Sequence, residues 1–168
     1  MAENNWWGCN AGPGGAGCDT AVISGGGVLD ADPWLTLGIA LGTTSLEVGA
    51  ITPATATVTG NSAGAMLGPI AFPATGIGFV GVNGTMPTPV VTADGTAVSS
   101  FTGTVAGLGS ATAQLDNATV TASLLVTQGG TVPVQAFSVT GGTPTATEND
   151  YTRINDVVQL VYDGSIVE

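Results

Sequence analysis

Across residues 34–51, WLTLGIALGTTSLEVGAI, apolar residues alternate with small or polar ones. Leu35, Leu37, Ile39 and Leu41 fall on one side of an extended chain, with Thr36, Gly38 and Ala40 on the other. Beyond Gly42-Thr43, Leu46, Val48 and Ala50 alternate with Ser45, Glu47 and Gly49. A period of two marks a strand with one buried face, so the two runs predict a hairpin. The cleanest alternation is ATVTASLLVT at 118–127, where Ala118, Val120, Ala122, Leu124 and Val126 oppose Thr119, Thr121, Ser123 and Thr127. Gly129-Gly130 then turns the chain toward Val132, Val134 and Ala136, a second expected hairpin. Residues 97–106 alternate as well. The run INDVVQLVYDGSIV at 154–167 is apolar on both faces, as a central or covered strand would be. Between 52 and 95, Pro53, Pro69, Pro73, Pro87 and Pro89 interrupt the pattern, which predicts long loops with brief strands near 54–59, 77–82 and 88–92.

This patterning predicts an all-β fold, an antiparallel β-sandwich or jelly roll, because short strands recur every 8–12 residues or so with turn signals between them. Composition agrees. The chain holds 27 Gly and 25 Thr, while the Glu, Lys, Arg and Gln that solvate long helices are scarce. Residues 1–27 contain too little apolar material for a core and are expected as an extended Gly-rich arm, with the sandwich domain at 28–168.

Charge narrows function more than any motif does. Arg153 is the one basic side chain, there is no Lys or His, and the formal net charge is −11. Binding to nucleic acid needs cations to displace counterions from phosphates, so it is not expected. The same lack argues against anionic membrane surfaces. No basic leader with an apolar stretch opens the chain, and no apolar run is long enough to span a bilayer, so synthesis in the cytoplasm without a signal peptide is expected. With only 8% of residues charged, Thr, Ser, Gly and Ala must wet most of the surface.

Motifs with catalytic overtones lose their meaning in context. GPGGAG at 12–17 spaces Gly12, Gly14 and Gly17 like a dinucleotide fingerprint, but no strand precedes it and no helix follows. GNSAG at 60–64 surrounds Ser62 like a nucleophile elbow, yet the chain has neither histidine nor lysine to take the proton. CDTA at 18–21 offers Asp19 as an aspartic-protease carboxylate without the apolar strand that leads into one. DAD at 30–32 and END at 148–150 match no calcium-loop spacing and read as turns. Two cysteines without histidine leave a zinc site two ligands short. The sequons at Asn83 and Asn117 read as chance matches. Glycoside hydrolysis by paired carboxylates would want more aromatic platforms than this chain has. No catalytic residue, metal or cofactor is expected.

Within the arm, Cys9 and Cys18 admit three states: a disulfide within the chain, bonds to neighbouring subunits, or two reduced thiols. Trp6 and Trp7 on a glycine-rich tether read as assembly anchors for a partner's pocket, the alternative being that they fold back on their own domain. In layout, a small β-rich body behind this arm, the chain resembles the head-decoration (cement) proteins of tailed bacteriophages. It is similar, less closely, to the disulfide-linked jelly-roll subunits of endospore appendages. The resemblance implies a non-enzymatic structural protein of a virion or other extracellular particle surface. It also implies partners in the form of copies of itself or a major capsid or fibre protein. A carbohydrate- or receptor-binding module, with Trp34 or Tyr151 as an aromatic platform, is the alternative from a different class.

Overall fold

The structure, a computed structural model, describes residues 2–129 other than Val22, Ser24 and Gly26, together with two short strands further on. Met1–Gly129 forms one compact unit and Gly130–Glu168 a second. In the first unit the strands are β1 (Leu35–Leu41), β2 (Ser45–Glu47), β3 (Ile51–Asn61), β4 (Gly76–Val82), β5 (Gly84–Thr85), β6 (Val90–Val91), β7 (Thr96–Gly103), β8 (Gly107–Leu115) and β9 (Ala118–Thr127). In the second, β10 (Ser138–Thr140) and β11 (Thr143–Thr145) pair antiparallel. No helix occurs among the described residues. The runs expected at 132–136 and 154–167, like Tyr151, lie outside them.

The first unit is a β-sandwich. One sheet has the order β1-β3-β7-β5 and is antiparallel throughout. The other has the order β2-β9-β8-β4-β6, with β2 parallel to β9 and the remaining pairs antiparallel. Alternate residues of both sheets meet in one core: Ala54, Ala56, Val58, Ala97 and Phe101 from the first, and Ile77, Phe79, Ala111, Ala113, Leu124 and Val126 from the second. Alanine at so many inward positions leaves the volume to two large rings, Phe79 and Phe101. Gly81 and Gly84 make room for the second of these, since a Cβ on Gly84 would run into the Phe101 ring. Burial of a phenylalanine of this kind contributes on the order of 2–3 kcal/mol.

The strands at 35–41 and 118–127 form where alternation places them. The first expected hairpin does not. β1 pairs with β3, matching Leu41 to Ala54, whereas β2 crosses to the other sheet and runs beside β9. The connector explains the crossing. Gly42 N–H stays with β3 through Pro53 O (2.9 Å), while the Thr44 carbonyl accepts from Leu125 N–H of β9 (2.8 Å). Thr43 Oγ1 bends the chain between them by bonding both backbone groups of Ser45.

Nor is the region after Ile51 loose. β3 runs eleven residues through Pro53. That proline turns its nitrogen to the same side as its carbonyl, where β1 has ended, so the missing donor costs the ladder little. Further on, Thr36 pairs with Gly60 but Gly38 with Thr57, so β3 fits an additional residue into the interval. The bulge buries Val58 and Thr59 in succession and turns Asn61 to the opposite side from where strict alternation would leave it.

Candidate functional site

The N-terminal segment, expected as an extended arm, is folded against the sandwich. It runs along β1, an edge strand whose odd-numbered residues point their N–H and C=O groups away from β3. Leu35 N–H donates to Asn5 O (3.0 Å), and Asn4 N–H to Pro33 O (2.6 Å). One position further along the edge, a side chain takes over from backbone. Asn10 Nδ2 donates to Leu37 O (2.9 Å) while Leu37 N–H donates to Asn10 Oδ1 (2.7 Å). Exposed edges invite pairing with other chains, and here the protein covers part of its own.

Beyond Asn10 the chain tightens into a knot. Gly15 N–H bonds Gly12 O (3.1 Å) and Cys18 N–H bonds Gly15 O (3.0 Å). Cys9 and Cys18 are joined within the chain, their Cα atoms 5.1 Å apart. Gly12, at φ +80°, lies so near Trp34 that a Cβ there would sit 2.6 Å from the indole. The Trp34 Nε1–H donates to Asn10 O (3.1 Å). On the far side, Asn117 Nδ2 donates to Gly17 O (2.7 Å) and Asn117 N–H to Gly8 O (3.0 Å), tying the knot to the two-residue β8–β9 turn.

Trp7 is only 8% exposed, and its Nε1 is buried without a hydrogen-bond partner. It is folded into its own domain rather than presented to a partner's pocket. Trp6 packs half-buried against the core and donates from Nε1 to Asp116 Oδ2 (2.7 Å). Beside it a cavity of about 400 Å³ opens, lined by Asn4, Asn5, Trp6, Phe72, Thr75 and Asp116 among others.

The outward face of the five-stranded sheet is the other notable surface. Leu108 stands directly opposite Leu125, and they are 73% and 49% exposed. Val82 (53%) and Val80 (65%) continue the patch on β4, their cross-strand partners being Ser110 and Thr112. Thr112 Oγ1 and Thr121 Oγ1 share a hydrogen bond of 2.9 Å on the same face. Glu47, on the edge strand β2, is its one ionisable residue. The carboxylates Glu3, Asp19, Asp30, Asp32, Asp94 and Asp116 all lie in the N-terminal segment and in turns, and residues 2–129 contain no Lys, Arg or His.

No protein-family model matches this chain, and no curated protein does. Eleven solved chains match in structure. Domains 4 and 5 of the S-layer protein SbsC align over 59% of this chain and 48% of theirs, with 18% identity and a TM-score of 0.39. The S-layer protein rSbsC(31-844) aligns over 66% of this chain and 15% of its own length, at 17% identity and 0.43. The D0-D1 domain of intimin gives 66% and 60%, at 17% identity and 0.45. The chain thus spans less than two thirds of each. With identities below 20% and TM-scores below 0.5, no function transfers with the likeness.

The residues singled out by motif have structural employment. Ser62 Oγ accepts from Trp34 N–H (3.1 Å) and donates to Asp32 Oδ1 (3.3 Å), fastening the loop after β3 to the segment before β1. Asp19 donates its N–H to Trp7 O (2.8 Å) and accepts from Gly14 N–H (2.9 Å). Among the described residues no three His, Cys, Asp or Glu side chains gather as metal ligands would. Asn83 Nδ2 is committed to Leu108 O (3.0 Å). Trp34, the expected platform, lies over Gly12. The residues that sequence reasoning passed over are Asn4, Asn5, Asn10, Phe72 and Asp116. The concentration of asparagines around the tryptophans in NNWWGCN is a signal for Asn4, Asn5 and Asn10, whereas nothing local marks Phe72 or Asp116.

Proposed function

We propose that this chain is a non-enzymatic structural protein of a particle surface that assembles with copies of itself, sheet face to sheet face. The carrying observation is the patch of Val80, Val82, Leu108 and Leu125 on a face where Glu47 is the only ionisable group. A second copy fits this face better than any basic partner, which would be drawn to the carboxylates elsewhere. Two copies meeting here bury methyls and hydroxyls, and they keep Glu3, Asp30, Asp32 and Asp94 outside the contact. Chemistry supports the non-enzymatic part: the chain has no imidazole or amine side chain to shuttle protons, and Ser62 has none beside it.

Within this class, the finer reading is a virion capsid-decoration subunit; the other is a disulfide-linked spore or extracellular fibre. The pairing of Cys9 with Cys18 favours the first, because thiols joined to each other leave none for a neighbouring subunit. Sedimentation velocity across a concentration series, with negative-stain microscopy and a non-reducing gel, tests the proposal. The expected result is a reversible oligomer or lattice that runs as a monomer on the gel. A chain that stays monomeric at its solubility limit and coats no particle overturns it.

A further inference from the structure

We infer that the cavity beside Trp6 is a binding site for an uncharged sugar of one or two pyranose rings. At about 400 Å³ it falls at the small end of small-molecule sites, which run from roughly 300 to 1,000 Å³. Its walls combine two chemistries that a sugar needs together. Trp6 and Phe72 supply aromatic surface for the C–H faces of a ring. Asn4, Asn5, Thr75 and Asp116 supply donors and acceptors for its hydroxyls.

The polar groups are held in place by the fold. Asp116 occupies the β8–β9 turn at φ +49° and accepts from Trp6 Nε1, which fixes the indole and leaves carboxylate lone pairs for a hydroxyl donor. Asn4 Oδ1 accepts from Asn61 Nδ2 (3.0 Å), and Asn61 is itself anchored by Ala65 N–H (2.9 Å), so the Asn4 Nδ2 group remains to donate. Thr75 Oγ1 donates to Pro73 O (3.2 Å), leaving its oxygen as an acceptor. The bulge in β3 is what turns Asn61 toward this end of the sandwich.

Charge selects among ligands. Asp116 stands in the wall and no cation accompanies it among the described residues, so phosphorylated, sulfated or uronic sugars are repelled. A wholly apolar ligand would strip water from the carboxylate and two carboxamides without replacing their hydrogen bonds. Another recess, about 230 Å³ around Thr36, Asn61, Ala65 and Met66, has neither an aromatic nor a charged group and lacks this combination.

Saturation-transfer NMR on the full chain tests the inference, with glucose, galactose, mannose, N-acetylglucosamine and their common disaccharides as probes. At least one neutral sugar is expected to bind with a dissociation constant on the order of 1 mM. Glucuronate and N-acetylneuraminate should give no signal, and choline is the control for a cation site formed by the carboxylate and the two rings. Asn5→Ala changes an exposed side chain and is expected to weaken binding threefold or more. Trp6→Phe keeps a ring but removes the bond to Asp116, and is expected to weaken it at least as much. Trp34→Phe is expected to leave affinity unchanged. Immobilised glycans ending in the bound sugar distinguish a surface glycan from a free saccharide as the source. Silence from every neutral sugar at 20-fold the expected constant overturns the inference. So does binding that survives both Asn5→Ala and Trp6→Phe, or a signal from choline alone. None of these outcomes depends on whether the chain self-assembles.

Discussion

Asn10 holds both backbone groups of Leu37, giving one hydrogen bond of 2.9 Å from its amide nitrogen and receiving one of 2.7 Å at its oxygen. A carboxamide presents a donor and an acceptor in the geometry of a peptide group, so Asn10 acts as a one-residue strand on the edge of β1. Replacing it with alanine leaves both backbone groups of Leu37, a buried residue, unpaired. Asn10→Ala is expected to cost about 1–3 kcal/mol, a fall in Tm of roughly 2–4 °C per kcal/mol for a chain of this size. Asn5 meets the same edge through its backbone carbonyl, so Asn5→Ala should stay within about 0.5 kcal/mol of the parent. Urea unfolding of the two variants checks the pair. Equal losses would mean that the edge is not held in this way.

Two glycines of the knot separate conformation from contact. Gly12 (φ +80°) and Gly14 (φ +74°) both sit in the left-handed region, but a Cβ meets Trp34 only at Gly12 and finds open space at Gly14. Gly14→Ala therefore carries only the backbone penalty, about 1–2 kcal/mol. Gly12→Ala must also displace the indole, and is expected to cost more and to shift tryptophan emission. A Gly12→Ala no worse than Gly14→Ala, with unchanged emission, would count against the packing of Trp34 over this loop.

The bond between Cys9 and Cys18 closes a ten-residue loop, and loop-entropy arithmetic puts its contribution at about 2.7 kcal/mol. Cys9→Ser/Cys18→Ser, or reduction of the parent, is expected to lower unfolding stability by up to that amount while the sandwich stays folded. Mass spectrometry after alkylation without reductant should find no free thiol and no cross-linked dimer. A ladder of reducible oligomers would assign the cysteines to neighbours instead.

The sequence displayed strands well and partners poorly. Alternation at 35–41 and 118–127 follows directly from one-sided burial, and both strands form there. Pairing was not legible, because whether β1 turns back onto β2 or waits for β3 is decided by where Gly42, Thr43 and Thr44 place four hydrogen bonds. Pro53 misled for a related reason: its harmlessness depends on β1 ending beside it, a fact of register rather than of composition. The N-terminal segment was misjudged on entropy. Its glycines do raise the cost of ordering, but Asn10, Asn117 and the Trp6–Asp116 bond fasten it at three separate points. The cavity draws Asn4, Phe72 and Asp116 from widely separated parts of the chain, so no local motif could announce it.

Self-association should strengthen with salt. Every ionisable side chain in residues 2–129 is a carboxylate, so copies repel one another whichever faces meet. Raising ionic strength from 0.01 to 1 M shortens the screening length from about 30 to about 3 Å, which weakens that repulsion while leaving burial of Leu108 and Leu125 intact. Leu108→Glu plants a carboxylate opposite Leu125, at the centre of the patch. Because Leu108 faces outward, the variant should unfold like the parent yet associate about tenfold or more weakly, a loss of about 1.4 kcal/mol. Sedimentation velocity at the two ionic strengths, on parent and variant, reads both effects. Association that weakens with salt would require oppositely charged surfaces, which these residues do not provide. Association indifferent to Leu108→Glu would move the contact to another face.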